Sequence, residues 1–205
     1  MPIQKSCTVV EAVRLNAFAY SFTLEAEGMT PEGPDQFVHV KCGHSRLLRR
    51  PISICDWEEN LLRIVFEVRG EGTEWLSRRK AGDRLDVLGP LGRGFRMDRE
   101  GRYLLVGGGI GVPPMLGCAK WTAERSTAVL GFRSADRAML SEDFQKSCKE
   151  IFLCSDDGSI GRHGFVDAQV RDILEKDKNF TAVLACGPKP MLKNVAAVAA
   201  GFGVP

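Results

Sequence analysis

The sequence predicts two domains, an antiparallel β-barrel over residues 1–98 followed by an α/β domain with a parallel sheet over residues 99–205. In the first half, short apolar segments are separated by Gly, Pro and Asn without a long helical period, which is typical of a small barrel. In the second half, apolar strand segments alternate with helical ones, which indicates a βαβ series. At 205 residues and 44% hydrophobic content, the chain is long enough for both cores.

The charge balance excludes one class of partner. The chain has 28 Lys and Arg against 26 Asp and Glu, a net charge of +2, which is too balanced for a general nucleic-acid binder.

No apolar stretch approaches the ~20 residues that cross a bilayer, and the first residues are not those of a signal region. We therefore expect a cytoplasmic protein without a membrane span.

The seven cysteines are scattered, odd in number and mostly set in apolar segments. This pattern favours reduced core thiols over a disulfide framework. Cys148 and Cys154 have neither a CxxC spacing nor a second pair beside them. We therefore predict no metal site.

The barrel half is predicted to contain six strands and one helix. The helix is expected over Thr73–Lys80, with Thr73 as the N-cap, three cations in the last turn and an end at Gly82. The predicted strands are Cys7–Leu15, Ala19–Glu27, Gln36–Val40, Ile52–Cys55, Leu61–Val68 and Arg84–Leu88.

The α/β half follows a linker at residues 98–102. Its predicted strands are Tyr103–Val106, Thr127–Phe132, Glu150–Cys154 and Thr181–Cys186, and its predicted helices are Pro113–Glu124, Ser141–Cys148, Val166–Lys176 and Pro188–Ala200. Functional residues of parallel sheets lie beyond the carboxyl ends of the strands. The segments in that position begin at Gly107, Gly131, Ser155 and Cys186.

The glycine-rich stretch after the first of these strands predicts a phosphate-binding turn. An apolar run leads into glycines, and prolines then open a helix. Glycines lack the Cβ atoms that would keep an anion from the backbone, and a helix start supplies N–H groups and a positive dipole end. The alternative is a tight turn without a ligand. Two prolines replace the third glycine of a standard G-x-G-x-x-G, so the geometry should differ from a Rossmann turn. The candidate residues are Gly107, Gly108, Gly109, Ile110, Gly111, Val112 and Pro113.

A second segment, Arg50-Pro51-Ile52-Ser53, also carries candidate chemistry. Arginine suits a pyrophosphate, proline stiffens the entry to a strand, and the Ser53 hydroxyl can hydrogen-bond a ring nitrogen. By themselves, Arg49 and Arg50 favour a solvated arginine pair before an edge strand over a ligand site, and only the motifs that follow reverse this preference.

Three motifs in order resemble the ferredoxin reductase superfamily: residues 50–53, residues 67–73 and residues 89–95. The resemblance implies that the barrel holds FAD, with Arg50 and the turn at residues 70–73 on its pyrophosphate and Ser53 near flavin N5 as a catalytic residue. The flavin-binding residues implied are Arg50, Pro51, Ile52, Ser53, Glu67, Val68, Arg69, Gly70, Gly72 and Thr73.

The second-half motifs GGGIGVPPM, SDDGSIG and CGPKPM narrow the resemblance. With the barrel motifs, they look like those of the electron-transfer subunits of two-subunit dihydroorotate dehydrogenases, over nearly the whole chain. The resemblance implies NAD(H) on the α/β domain, with the Cys186 turn beside the nicotinamide as a catalytic element and Asp156 near the adenosine. Taken singly, Arg133 favours a solvated loop cation and Asp156 a plain turn residue, whereas Cys186 is equally a small core residue. The residues added are Arg133, Asp156, Cys186, Gly187, Pro188 and Met191.

This family resemblance implies FAD-mediated electron transfer with NAD(H) in pyrimidine biosynthesis, beside a catalytic subunit that oxidises dihydroorotate. NADH is expected over NADPH, although Arg133-Ser134 is a pair of the kind that accepts a 2′-phosphate. The same motifs suit a free-standing NAD(P)H–flavin or ferredoxin reductase, or a hydrogenase-type reductase subunit. An alternative of another class is a regulatory nucleotide-binding module without flavin.

The resemblance also raises the question of a [2Fe-2S] cluster, because the family normally continues past a GVP segment into a strand and a cysteine-rich tail. The printed sequence ends at Gly203-Val204-Pro205, and its seven cysteines lack the spacing of four cluster ligands. We expect no cluster on these residues. Either the sequence is truncated or it is that of a relative that works without the cluster.

Overall fold

The computed structural model describes residues 2–43 and 48–205. Two compact units divide the chain, the first ending at Phe95 and the second running from Arg96 to Pro205. The sequence predicts this division at residue 98.

The first unit is a closed antiparallel barrel of six strands in the order β1-β2-β5-β4-β3-β6. Alternate side chains of the strands point inward, because successive residues of a strand face opposite sides. Phe22, Leu24, Ile54 and Ile64 are among the buried core residues. The strands are β1 (Ile3–Arg14), β2 (Ala19–Glu25), β3 (Phe37–Val40), β4 (Arg50–Glu58), β5 (Leu61–Glu67) and β6 (Arg84–Leu91), and one helix, α1 (Glu71–Ser77), follows β5.

The predicted barrel is confirmed, but several predicted bounds are wrong. Strand β1 begins at Ile3 rather than Cys7, because its first residues pair with β6. Strand β4 begins at Arg50, so Arg50 and Pro51 belong to the strand and not to the turn before it. Helix α1 has Gly70 as its N-cap and ends at Ser77, before the predicted terminal cations.

The second unit is a parallel sheet of five strands in the order β10-β9-β8-β7-β11, as the βαβ pattern predicted. The short strand β10 was not predicted. The strands are β7 (Tyr103–Gly108), β8 (Thr127–Phe132), β9 (Glu150–Ser155), β10 (Arg162–His163) and β11 (Ala182–Cys186), and the helices are α2 (Val112–Trp121), α3 (Ser141–Gln145), α4 (Val166–Lys176) and α5 (Lys189–Gly201).

The order of these strands creates a switch point beside β7. The chain adds β8, β9 and β10 on one side of β7 and then crosses back to add β11 on the other. In open α/β sheets, ligands bind at the carboxyl ends of strands where the direction of winding reverses. The carboxyl ends of β7 and β11 meet here, with Cys186 opposite Gly107.

None of the helices in the described part of the chain is both long and apolar enough to cross a membrane. Within residues 2–43 and 48–205, no group of three His, Cys, Asp or Glu side chains is arranged to hold a metal ion. All seven cysteines are described and none forms a disulfide; six are buried, and Cys186 is partly exposed.

Candidate functional site

In the barrel unit, Arg50 lies against the first turn of α1. Its Nη1 donates a hydrogen bond to the Leu48 carbonyl (3.0 Å). A Cβ atom at Gly72 would be 2.6 Å from Arg50 Nε and 3.2 Å from Cζ. Residue 72 must therefore lack a side chain for the guanidinium to occupy this position. The structure thus brings together two segments that are separated by the whole of β5.

Thr73 holds the turn before α1, in a role that differs from the predicted one. It is the third helical residue rather than the N-cap. Its Oγ1 accepts hydrogen bonds from the backbone N–H groups of Arg69 (2.9 Å) and Gly70 (3.3 Å) and donates one to the Gly70 carbonyl (3.0 Å). These bonds fix the turn. The first N–H groups of a helix have no intrahelical acceptors and suit an anion.

The positive charge of this site comes mainly from Arg50. Arg69 Nη2 forms an ion pair with Glu67 Oε2 at 2.7 Å, which offsets its charge. Arg50 forms no ion pair with a described residue. An open cavity of about 230 Å³ lies here, lined by Arg50, Arg69, Gly70, Glu71, Gly72 and Thr73. The Arg50 guanidinium, a helix start and a residue without a side chain together fit a diphosphate.

The other predicted flavin residues of β4, which are Pro51, Ile52 and Ser53, lie on two opposite faces of the strand. Ile52 is buried in the barrel core, so its backbone alone is available to a ligand. Pro51 and Ser53 lie on the opposite face, where Ser53 pairs with Phe37 of β3 and is partly exposed. No described residue hydrogen-bonds the Ser53 hydroxyl. Val68 is 38% exposed beside the Arg69–Gly72 turn and offers an apolar contact.

In the second unit, the glycine stretch forms the end of β7 and the turn into α2. Gly107 and Gly108 are the last residues of the strand, residues 109–111 form one turn of 3₁₀ helix, and Val112 begins α2 with prolines in its first turn. Val112 and Pro113 are buried, whereas Ile110 is partly exposed. The predicted strand, turn and helix start are confirmed.

Three of the four glycines have a packing role that the sequence does not predict. A Cβ at Gly107 would be 2.8 Å from Val112 Cα, one at Gly108 would collide with Met191 Sδ, and one at Gly111 with the Cys186 carbonyl. These glycines allow the protein to pack against itself. Gly109 differs, because its φ is +54° and a Cβ there would meet nothing within 4 Å. It alone of the four leaves backbone open to a ligand.

The Cys186-Gly187-Pro188 turn packs directly on this glycine turn. A Cβ at Gly187 would be 2.6 Å from Met191 Cε and 3.2 Å from the Gly108 N. Met191 thus fills the space between the two turns while staying partly exposed, and its contact with a nucleotide stays a prediction. Cys186 is the partly exposed cysteine at the switch point.

Two loops form the rim at the carboxyl ends of β8 and β9. Ser159 joins them, because its Oγ accepts a hydrogen bond from the Ala135 N (2.7 Å) and donates one to Asp157 Oδ1 (2.6 Å). This hydrogen bond from Ser159 is the main cause of the lowered pKa of Asp157. Asp157 is therefore occupied within the loop. The predicted residues Arg133 and Asp156 are both exposed, and Arg133 forms no ion pair with a described residue.

Phe165, which no motif in the sequence singles out, is a 67% exposed aromatic at the N-cap position of α4. The following residue packs at the same edge of the sheet, where a Cβ at Gly131 would be 2.5 Å from Val166 Cγ1. An exposed aromatic ring beside a nucleotide rim can stack on a base. In the sequence, Phe165-Val166 is indistinguishable from the apolar start of a helix, and only burial separates the two residues.

A barrel with an anion-suited helix start and a parallel sheet with a glycine turn at its switch point define the class of ferredoxin reductase-like proteins. Consistent with this class, the chain is similar to the structure of an NADH-dependent reduced ferredoxin-NADP oxidoreductase, at 33% identity and a TM-score of 0.86 over 97% of this chain and 74% of that one. No protein-family model matches the chain.

Curated relatives identify the family within this class. The dihydroorotate dehydrogenase B (NAD⁺) electron transfer subunit of Fusobacterium nucleatum is 38% identical over 92% of this chain and 77% of the relative. The subunit of the same name from Geobacillus thermodenitrificans is 40% identical over 91% of this chain and 75% of the relative. The chain belongs to the family of dihydroorotate dehydrogenase B electron transfer subunits.

Proposed function

We propose that this chain binds FAD on its barrel unit and NAD(H) on its α/β unit, and carries electrons between NAD(H) and a catalytic subunit that oxidises dihydroorotate. The observation that carries the proposal is the contact of Arg50 with Gly72 at the start of α1. Any side chain at position 72 would occupy the place of the Arg50 guanidinium. A cytoplasmic location stays a prediction of the sequence.

The residues of the barrel unit would bind and orient the flavin. Arg50 and the first N–H groups of α1 would hold the diphosphate, Ser53 would donate a hydrogen bond to the ring, and Val68 would contact it. Bound FAD would supply the chemistry, by accepting a hydride from NADH and releasing electrons to the next acceptor.

The residues of the α/β unit would bind and position the nucleotide. The open backbone at Gly109 and the start of α2 would take its diphosphate, Cys186 and Pro188 would pack beside the nicotinamide, and Asp156 would accept hydrogen bonds from the ribose of the adenosine. Phe165 would stack on the adenine. No acid or base is required of these residues, because hydride transfer needs alignment rather than proton transfer.

Reconstitution tests the proposal. The purified chain is mixed with FAD, desalted and examined for a flavin spectrum, and NADH oxidation is then followed with a dye as acceptor. We expect retained flavin and NADH-dependent dye reduction. A chain that takes up no FAD but binds NADH would instead be the nucleotide-binding module without flavin.

A second candidate function is electron exchange with ferredoxin, favoured by the 33% identity to the NADH-dependent reduced ferredoxin-NADP oxidoreductase. The FAD-loaded chain is offered a dihydroorotate-oxidising subunit and a ferredoxin in separate assays. Binding to the first partner supports the family function, whereas reduction of ferredoxin without such binding supports the second candidate.

A further inference from the structure

Arg49 precedes Arg50 directly, but its side chain has a different environment. Its Nη2 forms an ion pair with Asp86 Oδ2 (2.8 Å), and its Nη1 donates hydrogen bonds to the backbone carbonyls of Asp86 (3.0 Å) and His39 (3.5 Å). Only 20% of the Arg49 side chain is exposed. The residue before β4 is thereby attached to both β6 and β3.

The acceptor of this ion pair is itself held in place. Gln4 of β1 donates from Nε2 to both carboxylate oxygens of Asp86, at 3.1 and 3.2 Å. The Lys41 N donates to the Asp86 carbonyl at 2.9 Å. Asp86 therefore presents a fixed carboxylate and a fixed carbonyl to Arg49, and a planar guanidinium can match both at once.

We propose that Arg49 is a positioning residue for the flavin site: its attachment to Asp86 fixes the start of β4 so that Arg50 lies over Gly72. The inference rests on the proposed function. Successive side chains at a strand start point to different sides, so holding Arg49 on β6 directs Arg50 towards α1. A guanidinium that is already in place loses less conformational entropy when a ligand binds.

For the variant Asp86→Asn, a positioning role of Arg49 predicts a change in FAD affinity opposite in sign to the change predicted from charge alone. Asp86→Asn removes a negative charge from the neighbourhood of a proposed diphosphate site. If Asp86 acted only through its charge, FAD would bind more tightly to the variant. If Asp86 acts by holding Arg49, the variant binds FAD more weakly.

The test measures the dissociation constant of FAD by flavin fluorescence at two salt concentrations, and the thermal unfolding of the flavin-free protein, for Arg49→Met and Asp86→Asn. Arg84→Met is the matched control, because Arg84 also lies on the barrel but bonds to Ser6. We expect both variants to raise the dissociation constant about tenfold, because Arg50 would keep its contact but would have to be ordered when the ligand binds. We expect its salt dependence to stay that of the wild type, and the control to bind normally.

Three results would overturn the inference. Lower thermal stability with unchanged FAD affinity would make Arg49 merely structural. Tighter binding by Asp86→Asn would make the effect electrostatic, and a reduced salt dependence in Arg49→Met would place Arg49 on the diphosphate itself. If Arg49→Met does not fold, Asp86→Asn decides alone. A wild-type chain that binds no FAD would instead refute the proposed function, a result distinct from all three.

Discussion

The Nε atom of Arg50 lies 2.6 Å from the position that a Cβ atom of Gly72 would occupy. The two residues come from different elements, the start of β4 and the first turn of α1. The absence of a side chain at residue 72 thus determines where the guanidinium can lie. A side chain at residue 72 would therefore displace the positive charge of Arg50 without removing it.

We predict that Gly72→Ala weakens FAD binding while the barrel stays folded. The new methyl group would meet the end of a flexible side chain, so Arg50 would swing away rather than the backbone shift. Arg50→Ala removes the contact outright and should raise the dissociation constant on the order of 10- to 100-fold. The matched control is Gly33→Ala, where a Cβ meets nothing within 4 Å. Retention of wild-type flavin by both site variants after dialysis would contradict the prediction.

We predict that Gly109→Val raises the KM for NADH at least about tenfold and leaves FAD occupancy unchanged, because the side chain would stand in the one open stretch of the glycine turn. The change also strains a backbone with φ of +54°. Gly203→Val reproduces that strain in the same unit, since Gly203 has φ of +69° and open space around it. Equal KM values in the two variants would attribute the effect to strain alone.

We predict that a thiol reagent such as DTNB modifies Cys186 before any other cysteine, and that NAD⁺ slows the reaction. The other six cysteines are buried. Burial also raises the pKa of Cys148 to about 12 and that of Cys154 to about 11, so neither is a thiolate at pH 8. Cys186→Ser should lack the fast phase. A rate that NAD⁺ does not change would mean that the nicotinamide does not lie beside this turn.

We predict a preference for NADH over NADPH, to which Asp136 contributes. The Ser134 hydroxyl donates its hydrogen bond to the Asp136 carboxylate, so its proton is not available to a ligand and a negative charge lies beside it. That carboxylate would repel a 2′-phosphate, although Arg133 lies next to the pair. Asp136→Ala should raise kcat/KM for NADPH relative to NADH by on the order of tenfold, a barrier difference of about 1.4 kcal/mol. A wild-type preference for NADPH would refute the assignment.

We predict that Ser159→Ala raises the pKa of Asp157 towards its ordinary value, because the main cause of the lowered pKa is lost. A carboxyl whose pKa is lowered on folding stabilises the native state above its unfolded pKa, and this stabilisation disappears as the pH falls through the lowered value. The difference in unfolding temperature between wild type and variant should therefore shrink in acid. NMR titration measures the pKa directly, with Asp177 as an internal control because its lowered pKa depends on Asn179 and Arg102. An unchanged Asp157 pKa would contradict this account.

The sequence by itself determined the class of each domain and the approximate bounds of most elements. The reason is that the two-residue period of strands such as Leu61–Glu67 and the longer period of Val166–Lys176 are local properties of the chain. Glycines followed by prolines likewise predict a turn and a helix start without knowledge of any distant residue.

The tertiary structure alone decided which residue of each motif is available to a ligand. Arg49 and Arg50 are the same residue type, but Arg49 forms an ion pair with Asp86, whereas Arg50 lies over Gly72. Gly108 and Gly111 pack against Met191 and Cys186, because β11 returns to the far side of β7 and brings these residues onto the turn. Gly107 packs against Val112, and of the four only Gly109 is open. Exposure and charge pairing depend on neighbours that are distant in sequence, and those neighbours are set only when the strands have paired.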